Sequence, residues 1–233
     1  IIVNSPNGKK YGFINLPGFN ADFEDAKGRN ASDDIKAELI KLKAQNVEGI
    51  ILDLRNNGGG SLTEVVDIMG LFMKNGPVVQ VKDGNGKIQV LKNKQNDPIW
   101  TGPLVIMQNE LSASASEILA GAMQDYGRAV IVGSPQSFGK GTVQTFVELN
   151  RFLNTSDDFG ALKLTIQKFY RVNGKSTQLK GVESDIPMKD VFSYEEIGER
   201  FDNYALPWDQ VNSSSFTVNN SINVAELAKN SQS

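Results

Sequence analysis

Gly49-Ile-Ile-Leu-Asp-Leu-Arg55 runs without a break into Asn56-Asn-Gly-Gly-Gly60. A continuous apolar run closed by turn residues is the pattern of a strand buried on both faces. A helical apolar spacing follows from about Thr63 to Lys74, so the stretch reads as strand, glycine turn, helix. The same grammar recurs on both sides. Upstream, Tyr11-Gly-Phe-Ile-Asn-Leu16 is a short strand closed by Pro17-Gly18, and Asp22 to Asn30 reads as polar loop. Ser32 with Asp33-Asp34 marks a helix start, and Ile35, Leu39, Ile40 and Leu42 give it an apolar stripe. Downstream, Pro103-Leu-Val-Ile-Met107 is a strand, a helix runs to about Tyr126, and Ala129-Val-Ile-Val132 is the next strand. Alternation of this kind predicts an α/β domain with a largely parallel sheet. Val78 to Leu91 predicts a hairpin turning at Asp83-Gly-Asn-Gly86. Val143 to Leu149 and Leu162 to Tyr170 are two further strands, followed by an Asn173-Gly174 turn. From Val211 the Ser- and Asn-rich sequence reads as a loose tail, with a short helix at Val224 to Lys229.

Composition narrows the chemistry. The 233 residues include no histidine and no cysteine. A Ser-His-Asp triad, a Cys-His pair and a His-ligated zinc site are therefore impossible within the chain. If the chain is a hydrolase, lysine is the base left for a serine nucleophile, and no cofactor is called for. A formal charge of −3 with scattered lysines gives no nucleic-acid footprint. No stretch reaches the ~20 apolar residues of a membrane-spanning helix. The chain opens at Ile1-Ile2-Val3 without an initiator Met, so a fragment or processed form is expected.

Two segments carry candidate chemistry. Ser112-Ala-Ser-Ala-Ser-Glu117 opens an apolar helix, so free N–H groups and the positive helix end face whatever sits there. That suits a developing oxyanion. The plain alternative is a capping box formed by Ser114 and Glu117. Phe138-Gly-Lys-Gly-Thr-Val-Gln144 sets Lys140 between glycines, where backbone and ligand can approach. A P-loop needs four residues between its glycines, whereas Gly133 and Gly139 have five. Ser137-Phe-Gly-Lys140 matches a Ser-x-x-Lys motif, but its glycines oppose the helix that motif needs, and no Lys-Thr-Gly partner exists. As a general base Lys140 must be neutral, which burial against Phe138, Val143 and the Val130–Val132 strand can favour; a solvated surface lysine is the other reading. The Asn56–Gly60 loop can present N–H groups as an anion hole or serve only as a turn. Asp53 with Arg55 reads as an ion pair or a loop-backbone brace, and Asp125 and Arg128 read as helix-end scaffolding.

Taken in order, Ile51 to Gly60, Ser112 to Glu117, Gln124-Asp-Tyr-Gly-Arg128 and Phe138 to Gln144 resemble the C-terminal-processing (tail-specific) serine peptidases. Gly174-Lys-Ser-Thr-Gln-Leu-Lys-Gly-Val182 and Leu206-Pro-Trp-Asp209 extend the likeness, which spans roughly Lys10 to Val211. The resemblance implies a crotonase-like/ClpP-like α/β core, a parallel-rich sheet with flanking helices. It places the nucleophile on Ser114, the base on Lys140 and the orienting glutamine on Gln144. Oxyanion donors fall on the backbone N–H groups of Gly60 and Ala115, and a supporting acid falls on Asp125. It further implies cleavage of unfolded or C-terminally tagged proteins, an adaptor lipoprotein as a candidate partner, and a bacterial periplasmic or envelope setting. The expected division is a catalytic core over residues 1–210 and a tail over 211–233. Three departures stand out: the family's PDZ domain is missing, Ser184 replaces a usual proline, and the Gly133–Lys140 loop is one residue longer. The last leaves Ser116 as an alternative nucleophile, with Ser114 favoured because it precedes the helix. Two other classes stay open, a non-catalytic binding module on the same fold and a crotonase-type acyl-CoA enzyme.

Overall fold

In a computed structural model that describes residues 1–22, 28–152, 158–219 and 222–231, the apolar run of Gly49–Asp53 is an inner strand of a six-stranded sheet. In chain order the elements are β1 (Ile2–Asn4), β2 (Lys10–Asn15), α1 (Ala31–Ala44), β3 (Gly49–Asp53), α2 (Leu62–Phe72), β4 (Gly76–Asp83) and β5 (Ile88–Asn93). Then come β6 (Leu104–Gln108), α3 (Ala115–Asp125), β7 (Val130–Gly133), β8 (Thr142–Glu148), β9 (Ala161–Tyr170), β10 (Ile186–Pro187) and α4 (Val224–Asn230). The first sheet has the order β1-β2-β3-β6-β7-β10. Its pairs are parallel except β1 with β2. The expected α/β architecture with a parallel-rich sheet is therefore the observed one.

Parallel pairing of β3, β6 and β7 puts their carboxyl ends on one edge, where the three candidate loops emerge together. Ligand sites of open α/β sheets lie at that edge. Leu52, Ile106 and Ile131, fully buried, supply the sheet's share of the core, while Leu39, Ile68, Met69 and Leu119 come from the helices. Burying each such side chain contributes about 2 kcal/mol.

The hairpin and the two later strands form a second, antiparallel sheet with the order β5-β4-β9-β8. Strand periodicity identifies such strands but is silent on which sheet they join. Asp83 closes the β4–β5 turn by accepting the N–H groups of Asn85 and Lys87.

Three local expectations change. Ser32 does not cap α1: the cap position is Asn30, and the Ser32 N–H donates instead to Glu64 Oε2 at 2.7 Å. A carboxylate from α2 thus serves the free N-terminus of α1, a tertiary substitute for a local cap. Ile40 is exposed, whereas Ile35, Leu39 and Leu42 are buried. At about 100° per residue, positions 35, 39 and 42 share a face and position 40 turns away from it. The Gly49 strand ends at Asp53, because the Asp53 carboxylate folds back on the Arg55 N–H and guanidinium. The middle of the expected Asp22–Asn30 loop lies outside the described residues.

Two polar ties anchor the end of β9 to α3 and to the C-terminal segment. Asp125, at the end of α3, pairs with Arg171 just beyond β9 at 2.5 Å, and Asn173 donates to the same carboxylate at 2.7 Å. Asp209 accepts from Lys168 and Tyr170 of β9. Further on, the Asn219 N–H donates to Tyr126 O, and the Phe216 ring meets Tyr126 edge-on. Arg128 anchors the turn after α3 by donating to Phe72 O and Trp100 O.

The Arg171–Asp125 side chains are 13% and 6% exposed. Removing one partner strands a buried charge, at a cost of about 3–5 kcal/mol. Asp125→Ala should lower Tm by roughly 10 °C in calorimetry. The double variant Asp125→Leu/Arg171→Met should recover most of that loss; equal melting of the wild type and Asp125→Ala would show the pair to be idle.

Candidate active site

The glycine loop and the serine segment are sewn together by Asn57, which has no exposed surface. Its amide donates to Leu16 O and accepts from the Gly59 N–H, and its carbonyl accepts from Ser116 Oγ and the Ala113 N–H. Asn109 adds a second stitch, exchanging hydrogen bonds with Asn56. Glycine is obligatory here. Gly59 has φ 108°, and a Cβ on it would stand 2.8 Å from Ser114 Cβ. Gly60 has φ 144°, and a Cβ there would run into the Phe19 carbonyl.

The three serines of Ser112–Ser116 separate by their bonds. Ser112 Oγ donates to Leu54 O, and Ser116 Oγ to Asn57 O, both at 2.8 Å and both buried. Ser114 is half-buried and stands at the N-cap of α3, with φ 58° and ψ −112°. A non-glycine residue held there stores about 1–3 kcal/mol of strain. Its side chain faces the Glu117 N–H in a capping-box arrangement yet forms no cap hydrogen bond of normal geometry. The other half of the box is firm, since the Ser114 N–H donates to Glu117 Oε2 at 2.8 Å.

Glu117 does more than cap. It is buried, and its two oxygens also accept from Ser137 Oγ at 2.6 Å, Gly139 N at 2.7 Å and Lys140 N at 2.9 Å. One carboxylate therefore fixes the backbones of Ser114 and Lys140 at once. Burial pushes its pKa up to about 7, against the opposing pull of these four donors. Ser137, whose hydroxyl donates to Glu117 and accepts from the Val182 N–H, is wholly enclosed. From the far side, the Leu179 N–H reaches Gly139 O, Thr177 Oγ1 reaches Lys140 O, and Gln178 Oε1 takes the Gly141 N–H.

Lys140 is half-buried, and its Nζ donates to Gln144 Oε1 at 2.9 Å. Burial, then the neighbouring Lys163 charge, lowers its pKa below the usual 10.5, while Glu199 and Glu117 pull the other way. Gln144 is an amide, so it orients the amine without adding the negative charge that would favour protonation.

Ser114, Lys140, Gln144, Gly60 and Ala115 line one cavity of about 220 Å³. Among the described residues, the N–H groups of Gly60 and Ala115 donate no hydrogen bond to the protein. Asp125 lies apart from this group, at the opposite end of α3, about 15 Å along the helix from Ser114. Asp53 and Arg55 form the expected ion pair at 2.7 Å. Ser184 Oγ, at the unusual position, accepts from Gln108 and donates to Ser134 O, so the hydroxyl secures that loop. The bonds of Asn57, and of Glu117 to the lysine loop, have no marker in local spacing. Among the described residues no cluster of His, Cys, Asp and Glu suits a metal ion, and no helix is long and apolar enough to cross a membrane.

An α/β core with these loops at one sheet edge has the fold of known peptidases: a putative S41 protease from Bacteroides fragilis matches with TM-score 0.66 at 18% identity, over 87% of this chain and 53% of that one. The chain belongs to peptidase family S41, whose pattern it matches over residues 10–188. Residues 192–233 match the C-terminal domain of tail specific protease. The tail-specific protease of Haemophilus influenzae is 44% identical over 225 residues, covering 96% of this chain and 31% of the relative. The chloroplastic carboxyl-terminal-processing peptidase 2 of Arabidopsis thaliana is 32% identical over 82% of this chain and 34% of its own length. The photosystem II D1 C-terminal processing protease matches with TM-score 0.66 and 28% identity, over 80% of this chain and 45% of that one. The chain thus spans about a third of the curated relatives it matches.

Glu117 generates a sharp expectation. Its folded pKa lies above the ordinary 4.5, so the folded state holds the proton more tightly than the unfolded state. The stability this adds is full below 4.5 and is lost as pH rises through about 7. Glu117→Gln should abolish that pH dependence in urea unfolding. It should also cost about 3 kcal/mol at neutral pH, because an NH₂ group replaces an acceptor for two buried donors.

Proposed function

We propose that residues 1–210 form the catalytic core of a serine endopeptidase working through a Ser114/Lys140 dyad, with residues 211–233 as a C-terminal tail. The observation that carries this reading is Ser114. It is held in a strained N-cap conformation, its hydroxyl facing the Glu117 N–H but donating no hydrogen bond, in the same cavity as an amine whose pKa is lowered. Ser116 is spent on Asn57 O, which favours Ser114 as the nucleophile.

Lys140, neutral, takes the Ser114 proton on Nζ as Oγ attacks a peptide carbonyl. The N–H groups of Gly60 and Ala115 hold the oxyanion of the tetrahedral intermediate, and α3 directs its positive end there. As the intermediate collapses, the proton passes from Nζ to the leaving amine. Lys140 then takes a proton from a water as it attacks the acyl-enzyme, and returns that proton to Ser114 Oγ as the acid product leaves. Gln144 keeps the Nζ lone pair aimed at Oγ throughout.

β8 is an edge strand of the second sheet and carries Gln144, so an extended substrate can pair with it as an added strand. Backbone pairing of this kind suits unfolded or C-terminally tagged proteins over folded ones. Among relatives, the names tail-specific protease and carboxyl-terminal-processing peptidase agree with such a substrate. A periplasmic or envelope setting, and delivery of substrate by an adaptor lipoprotein, complete the proposal. Retention of Ser114, Lys140 and Gln144 together argues against a non-catalytic binding module, the second reading. It also argues against an acyl-CoA enzyme, which has no need of the Lys140–Gln144 pair.

Cleavage of casein by the wild type, Ser114→Ala and Lys140→Ala tests the dyad. The wild type should cut slowly, with a rate that rises with pH as Lys140 loses its proton, and both variants should fall below detection. Persistent cutting by Ser114→Ala would reject the nucleophile and turn attention to Ser116. A wild type as inert as both variants would favour the binding module.

A further inference from the structure

Of the residues lining the catalytic cavity, Lys140 and Lys163 alone are charged. Lys163 lies on β9 directly opposite Phe146 of β8, and Gln144 lies opposite Thr165. Side chains directly opposite point to one face, so Lys163 is a diagonal neighbour of Gln144, about 7 Å away between Cβ atoms. Its ammonium sits 5.9 Å from the centre of the Phe146 ring, an arrangement that holds a cation by its attraction to the ring face. Among the described residues it forms no ion pair.

We propose that Lys163 is a positioning residue for the reaction: held over Phe146 beside Gln144, its fixed positive charge makes Lys140 the uncharged member of the lysine pair. This rests on the Ser114/Lys140 reading. Two ammonium groups sharing a small cavity repel, and the proton leaves the one that is more enclosed. Lys140 is half-buried and Lys163 exposed, so Lys140 yields. The direction of the Lys140 pKa agrees, with Lys163 the second cause after burial. Facing Lys140 from the other elements are Glu117 of α3 and Glu199 of the single turn Glu199–Phe201, both of which favour its protonated form. Lys163 is the cation that offsets them.

The test is the titration midpoint of Lys140, read by NMR of ¹³C-labelled lysine with assignment from Lys140→Arg, alongside the pH profile of kcat/KM on casein. Neutralising a like charge in the same cavity, at roughly 5–10 Å through largely aqueous surroundings, should raise the midpoint by about half a pH unit in Lys163→Gln. Lys163→Glu should raise it by about one unit, and Lys163→Arg should leave it in place. The acid limb of kcat/KM should move by the same amounts, and about 1 M salt should erase most of the difference. As Lys163 is exposed, these variants should unfold within about 0.5 kcal/mol of the wild type. An unchanged midpoint in both Lys163→Gln and Lys163→Glu overturns the proposal. A midpoint that shifts as expected in a protein that never cleaves would support the electrostatic role and count against the peptidase reading.

Discussion

A single buried carboxylate, Glu117, sits where the serine segment and the lysine loop meet. Its Oε2 bridges the two segments by accepting from Ser114 N and Lys140 N, and its Oε1 takes two donors of the lysine loop, Ser137 Oγ and Gly139 N. A buried carboxylate is costly unless its lone pairs are filled, so the four donors and the acid hold one another in place. The arrangement fixes two backbone positions that are 26 residues apart in the chain to within hydrogen-bond tolerance. Strain at Ser114 persists because this network over-determines it.

Around that centre the interior is unusually polar for a site with so few charges. Asn57, Ser116, Asn109, Ser137, Thr177 and Gln178 are all buried, and each satisfies backbone groups of loops that have no regular secondary structure. Loops at the carboxyl ends of β3, β6 and β7 leave many peptide groups out of the ladders, and side-chain amides and hydroxyls replace the missing partners. Rigid loops follow, and rigid loops are what an oxyanion site requires. Among the described residues the N–H groups of Gly60 and Ala115, like that of Gly58 beside them, stay unused where neighbouring donors such as those of Gly59, Ala113 and Ser116 are satisfied.

The charges of the site are arranged on the same economy. Lys140 meets an amide from Gln144, a like charge from Lys163 and two more distant acids, so its proton affinity is set by burial and by opposing fields. Away from the cavity, the end of β9 is tied to α3 by Arg171 with Asp125 and to the C-terminal segment by Lys168 with Asp209. Asp125 thus fixes the end of α3, at the far end of that helix from Ser114.

Much of this was legible in the chain. Apolar runs at Gly49–Leu54 and Leu104–Met107, alternating with helical spacing, specify a parallel α/β sheet, because a strand covered on both faces must be apolar throughout. The absence of histidine and cysteine reduced the bases to lysine, and the motif order pointed to Ser114, Lys140, Gln144, Gly60 and Ala115. Local rules failed where a distant group won: Glu64 displaced Ser32 as the cap of α1, and four donors rather than the one of a capping box claimed Glu117. Strand periodicity likewise could not divide ten strands between two sheets. Sequence determines which segments must be buried and which residue types are available, since those follow from hydrophobicity and local geometry. Only the tertiary structure decided which serine hydroxyls are spent on backbone carbonyls, which N–H groups stay unpaired and which lysine has its pKa lowered, because each depends on neighbours brought in from remote parts of the chain.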